Sequence, residues 1–275
     1  MSLVFENELY DMTETAKEVL LSDEIPWRYS GDVIFEEFPY FGYRTDLVTV
    51  RYDLWDLARR KDHLGHFEPL PDARRFRHSY NKLQDIEPVS RNYWINDDTT
   101  YSTDQTCREV WDWLAEHGYL RACDSAEVGR ANVGQLTLAG DIKPVGDEIS
   151  EHTPCVTVKY PMSITASAWE LKPRDWKKAL DQAKRADSYT DLRWVLMDAG
   201  GIEITNDVTK EFHQTGVGLA TLDEDGLEIH AYPDSVHPAR TGPRFMLNER
   251  ALAEIPDSVR DDALEKYEEL KETQG

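Results

Sequence analysis

Residues Ala168 to Asp198, AWELKPRDWKKALDQAKRADSYTDLRWVLMD, read as a strand, a helix and a second strand in immediate succession. Pro173 cannot donate to a sheet ladder and closes the first strand, while Asp175 suits the positive end of the helix that follows. From Arg174 to Tyr189 the residues Trp176, Ala179, Leu180, Ala183 and Ala186 recur at helical spacing. Lys177, Lys178, Lys184 and Arg185 are left on the wetter side, with Gln182 at the border. Leu192 to Met197, LRWVLM, is a nearly continuous apolar run of the kind found in strands covered on both faces. In this order the three elements predict a parallel crossover, and with it an α/β sheet flanked by helices.

The first of these strands carries chemistry. Side chains alternate along a strand, so Glu170 and Lys172 project together while Leu171 points into the core behind them. A carboxylate beside an ammonium suits phosphodiester hydrolysis, in which a carboxylate holds a divalent cation and a lysine orients water or offsets charge. The structural alternative is a solvated cross-strand ion pair.

Upstream, Val33 to Tyr40 (VIFEEFPY) and Tyr43 to Val50 (YRTDLVTV) read as two strands joined by a tight turn at Phe41 and Gly42, the second carrying Asp46 among apolar residues. Downstream, Thr205 to His213 reads as a short helix. Val217 to Leu222 and Leu227 to Ala231 read as strands around the turn Asp223-Glu224-Asp225-Gly226. Asn248 to Lys271 has helical patterning broken at Pro256 and reads as a solvated or packing helix.

An acidic residue on one strand, a Glu-x-Lys strand, a helix bearing Gln182 and a further buried strand together resemble the PD-(D/E)xK nucleases of the restriction-endonuclease-like fold. Thr45-Asp46 stands where that family has Pro-Asp. The resemblance implies a mixed sheet flanked by helices and a Mg²⁺-dependent endonuclease or phosphodiesterase acting on DNA. Asp46 and Glu170 would hold Mg²⁺ or Mn²⁺ with the carbonyl of Leu171. Lys172 would position the attacking water or stabilise the transition state, and Gln182 would match the family's helical glutamine. The tyrosine that follows this glutamine closely in the family has its nearest counterpart in Tyr189, two helical turns on. A supporting helical glutamate is implied near the amino terminus, with Glu6, Glu14 and Glu18 as candidates. Nucleases of this fold that cut both strands often act as homodimers.

The interval between Asp46 and Glu170 has patterning of its own and reads as an insertion. Residues 1–56 and 156–275 would form the nuclease-like core, with 57–155 as an inserted α+β domain. Asp72 to Ile86 reads as a helix, and Thr103 to His117 as a stronger one with Cys107, Val110, Trp111 and Leu114 on one stripe, ended by Gly118. Tyr119 to Cys123 and Gln135 to Ala139 follow as short strands. Helix followed by ribbon resembles a winged helix, with Arg121 and Arg130 on its wing as candidate DNA contacts. The helix exposes Asp104, Glu109, Asp112 and Glu116, so a protein partner fits this insert at least as well as base readout. The better basic segment is Arg59, Arg60 and Lys61 followed by Arg74, Arg75 and Arg77, which reads as a charged linker and helix face in preference to a phosphate track.

Charge constrains every one of these readings. The 275 residues include 53 acidic and 31 basic side chains, for a formal net charge of -22. Such a surface repels nucleic acid unless basic groups or metals are concentrated at the site. The acidic excess resembles the proteins of salt-in halophiles, whose concentrated KCl screens repulsion over a few ångströms. It also frames two alternatives to a nuclease: a non-enzymatic DNA-binding or protein-binding regulator built on an inactive nuclease-like core, and an acidic DNA mimic that inhibits a nucleic-acid-binding protein. No transmembrane run or signal peptide is read, so a cytoplasmic location is expected. Cys107, Cys123 and Cys155 lack a Cys-x-x-Cys pair and read as buried thiols. His63 and His66 lie in a loop without the helical register that would align them on zinc.

Overall fold

The computed structural model describes residues 3–22, 31–40, 43–69, 104–116, 118, 120–122, 155–157, 162–236 and 242–274. The chain divides into two compact units, one of Met1–Leu54 with Ser163–Ala263 and one of Trp55–Met162 with Leu264–Gly275.

The first unit is built on a six-stranded mixed sheet. Its strands are β1 (Val33–Tyr40), β2 (Tyr43–Tyr52), β5 (Ile164–Lys172), β6 (Leu192–Asp198), β7 (Gly218–Asp223) and β8 (Gly226–Ala231), lying side by side in that order. β1, β2 and β5 pair antiparallel, β5, β6 and β7 pair parallel, and β8 returns antiparallel to β7. The expected crossover is present: α4 (Trp176–Ala183) and a 3-10 turn over Lys184–Ser188 connect β5 to β6. Asp175 caps α4, its carboxylate accepting from the Lys178 N–H at 3.2 Å.

Alternation along the central strands divides the core into two layers. On one face Met12, Ala16 and Leu20 of α1 (Leu3–Leu21), spaced four apart, pack against Leu47, Trp169, Leu171, Trp194 and Leu196. Trp169 and Trp194 stack there with ring centroids 4.8 Å apart and planes 7° from parallel. On the other face Ala179, Leu180 and Ala183 of α4 pack with Val195, Met197 and Leu219, joined by Val208 and Phe212 of α5 (Asn206–Thr215). Thr205 caps α5 by accepting from the Val208 N–H, and Gly216 ends it in the left-handed conformation.

α6 (Gly242–Ala253) is buried along most of its length and fastens one end of the central strands. Arg244 pairs with Asp191 at 2.9 Å and donates to the carbonyls of Ile164 and Tyr189, and burial pulls its pKa down against that pairing. The Asn248 side chain accepts from the Ser163 N–H, and the Tyr52 hydroxyl donates to the Ala251 carbonyl. The helix stops before Pro256 and resumes as α7 (Asp257–Gln274).

The second unit contains α2 (Leu54–Leu64), α3 (Asp104–Glu116) and a ribbon of β3 (Leu120–Ala122) against β4 (Cys155–Thr157). Trp111 and Leu114 of the expected α3 stripe are buried. β3 pairs with a strand the sequence reading did not single out. Asp72 to Ile86, Gln135 to Ala139 and Arg130 lie outside the described residues, as does the Arg121 side chain. Arg60, read from sequence as part of a charged face, is instead buried and donates to the Glu68 carbonyl. Leu264–Gly275, read as part of the nuclease-like core, groups with this unit because Lys271 pairs with Asp62 at 2.7 Å and Lys266 lies over the Trp55 ring. Among the described residues no helix is long and apolar enough to cross a membrane.

The Trp169–Trp194 stack sets a steric requirement on β7. A Cβ built on Gly218 would fall 2.3 Å from the Trp194 ring, so no side chain fits without moving the indole. Gly218→Ala should destabilise the protein by ~2 kcal/mol, the usual cost of overpacking a core, as measured by urea denaturation. Unchanged stability would show that the stack is loosely held.

Candidate active site

β2 and β5 bring two distant parts of the chain into register, with Leu47 opposite Trp169 as the last paired residues at one end. Beyond them the Asp46 carboxylate takes over the role of the sheet ladder, accepting from the Leu171 N–H at 2.8 Å. The same oxygen accepts from Lys172 Nζ at 3.0 Å. Lys172 also donates to the Leu171 carbonyl at 2.8 Å and lies 3.8 Å from Glu170 Oε2. Asp46, Glu170, Lys172 and the Leu171 carbonyl are therefore brought together.

Burial differs sharply within this group. Side-chain exposure is 30% for Asp46 and 18% for Lys172 but only 3% for Glu170. Glu170 Oε2 is buried and receives no hydrogen bond. Burial pushes the Glu170 carboxyl up to about 8, and Asp46 adds to the rise through like-charge repulsion; Lys172 and Arg185 oppose it. A buried carboxyl crowded by a second carboxylate binds a proton or a cation readily.

The site fits a small, hard cation. Lys172 Nζ sits between the three oxygen donors that the metal reading assigns, hydrogen-bonded to two of them and near the third. The ammonium thus marks the point on which those donors converge. Among the described residues no three His, Cys, Asp or Glu side chains group as a metal cage. Two carboxylates and a carbonyl suit Mg²⁺ or Mn²⁺, since Mg²⁺ keeps several waters, and do not suit a closed zinc site. His63, read from sequence as lying in a loop, is instead in the last turn of α2, and neither it nor His66 belongs to such a group among the described residues.

Other expected residues are distributed differently. Gln182 lies on α4, which covers the Glu170 face; its Oε1 is buried without a hydrogen bond, and no bond joins it to Asp46, Glu170 or Lys172. The α1 glutamates do not complete the site. α1 packs on the Trp169 and Leu171 face, opposite to Glu170. Glu14 is paired with Lys17, which also holds Glu36, Glu18 is exposed, and the Glu6 side chain is outside the described residues.

Two contacts at the site had no signature in residue spacing. The Tyr189 hydroxyl and Thr45 Oγ1 share a hydrogen bond, and the Tyr189 ring stacks on Phe38 at 5.6 Å, which fixes the residue preceding Asp46. Arg185 lies over the Tyr43 ring, 4.4 Å from its centroid. Both depend on the 3-10 turn after α4, whose path a helical pattern does not specify. A separate acidic cleft of about 400 Å³, lined by Asp11, Thr15, Pro173, Asp198 and Asp223, contains none of the site carboxylates.

The folded protein holds the Glu170 proton more tightly than an unfolded chain, whose carboxyl titrates near 4.5. Stability should therefore fall as pH rises between about 4.5 and about 8, with the full cost present above that window. Glu170→Gln should remove this slope and be the more stable protein at about pH 9, by roughly 2 kcal/mol in denaturant titrations. Parallel pH profiles for the two proteins would contradict the crowded, buried carboxyl. No protein family, curated protein or solved structure matches the chain, so the arrangement itself carries the functional reading.

Proposed function

We propose that this chain is a Mg²⁺- or Mn²⁺-dependent nuclease that hydrolyses DNA phosphodiester bonds on a restriction-endonuclease-like core. The observation that carries the reading is the convergence of Asp46, the buried Glu170 and Lys172 at the end of β2 and β5. An ion pair built only for stability gains little from a nearly inaccessible carboxylate whose buried Oε2 has no hydrogen bond. A cation site gains from it directly.

A bound divalent ion supplies a more acidic water and polarises phosphoryl oxygens. The chain's residues do the rest. Asp46, fixed by the Leu171 N–H, presents its carboxylate in one orientation, and Glu170 presents a second from the adjacent strand. Asp46 and the Leu171 carbonyl, which accept from Lys172 in the free protein, would hold the ion together with Glu170. Lys172 is then available to donate to the attacking water or to the charge that develops on phosphorus-bound oxygen. The middle unit, with its helix and ribbon, is read as a winged-helix-like contact module for DNA or a protein partner through Arg121 and Arg130.

Plasmid, linear and branched DNA incubated with the purified protein in high KCl should be cut with Mg²⁺ or Mn²⁺ and not with EDTA. Glu170→Ala and Lys172→Ala should each lower the rate by about a hundredfold or more. Mn²⁺ should also raise the melting temperature of the wild type and not that of Glu170→Ala, because a ligand stabilises only the state that binds it. Cutting that survives both substitutions would place the activity elsewhere. No cutting together with no Mn²⁺ stabilisation would reduce the group to a structural ion pair.

A further inference from the structure

Arg185 lies in the 3-10 turn that follows α4. It is exposed, stacked on the exposed ring of Tyr43, and makes no ion pair among the described residues. Tyr43 opens β2 three residues before Asp46, and Arg185 follows α4, the helix packed on the Glu170 side of the sheet. In a chain of net charge -22, an exposed arginine held on a tyrosine ring and salt-bridged to no carboxylate among the described residues needs a reason. The carboxylates are already engaged: Asp46 accepts from Lys172 and the Leu171 N–H, and Glu170 is buried. The guanidinium keeps its fork of donors for a group outside the chain.

Stacking prepares that fork. Lying flat on a tyrosine ring restricts the side chain in advance, so less conformational entropy is lost when a ligand is gripped. A guanidinium held this way matches two oxygens of a phosphate. The surrounding charge agrees: residues 174–185 carry five basic and two acidic side chains within an acidic protein. Lys177 and Lys178 of α4 are also exposed and without ion pairs among the described residues.

We propose that Arg185, braced on Tyr43, clamps a backbone phosphate of the nucleic-acid substrate beside the Asp46–Glu170 pair. This rests on the nuclease reading for the identity of the anion. It adds a substrate-binding residue that the Glu-x-Lys pattern does not contain, and it explains how a strongly acidic chain holds DNA at one point.

The test is binding of a short fluorescein-labelled DNA duplex by anisotropy over a range of KCl concentrations, with Ca²⁺ present, beside steady-state cleavage in Mg²⁺. Arg185→Gln should weaken duplex binding roughly tenfold and reduce the slope of log affinity against log salt by about one. It should raise KM and leave kcat little changed. Arg185→Lys should keep the slope and lose part of the affinity, and Tyr43→Leu should do the same. Arg260→Gln, which removes an exposed cation from α7, should change neither quantity. Thermal melts check that each variant is folded. A wild-type slope and KM in Arg185→Gln would overturn the clamp, and the nuclease reading would stand if Glu170→Ala alone abolished cutting. A wild type that binds the duplex through Arg185 but never cuts would keep the clamp and remove the nuclease. Failure of the wild type to bind the duplex, or an equal loss in Arg260→Gln, would overturn the clamp.

Discussion

The sheet places a carboxylate where an apolar residue would ordinarily lie, and the rest of the site answers to that constraint. β5 is covered on both faces, so its alternation sends Trp169 and Leu171 toward α1 and Ala168 and Glu170 toward α4. Removing a charged carboxylate from water costs several kcal/mol unless a cation or proton compensates it. Lys172, two residues on and on the same side, supplies part of that compensation. Asp46 works against it by repulsion while anchoring itself to the Leu171 N–H. The result is a pair of carboxylates that one ammonium neutralises incompletely.

That local excess has the same sign as the charge of the whole chain. Across the chain acids outnumber bases, which opposes any polyanion. At the site, the carboxylates face inward onto a cation, while Arg185, Lys177 and Lys178 face outward. Under the proposed function, Asp46 and Glu170 would serve as ligands to a divalent cation that offsets this repulsion. Long-range steering of a polyanion is unfavourable for such a protein, so the proposed DNA contact would rest on short-range bonds.

Much of this was legible in residue order. The Trp176, Ala179, Leu180 and Ala183 stripe and the apolar LRWVLM run announced a helix lying on a buried strand, and the parallel crossover followed. Pro173 and Asp175 marked the boundary, and Asp175 does cap the helix. Glu170 and Lys172 share a face because alternation requires it. The association of Leu264–Gly275 with the middle unit was not legible, because it rests on Lys271 meeting Asp62 and Lys266 meeting Trp55. Nor was the burial of Arg60, which depends on one carbonyl, that of Glu68.

The sequence by itself determined which side chains share a strand face and which stretches form helices, since both follow from the local periods of the backbone. Only the tertiary structure decided that Asp46 reaches β5 and that α1 keeps Glu14 and Glu18 on the opposite side of the sheet. It also decided that Tyr189 secures Thr45 and that Arg185 lies on Tyr43. Those contacts join residues far apart in the chain, and their geometry comes from strand register and from the path of a short 3-10 turn. Neither leaves a repeating pattern in the order of residues.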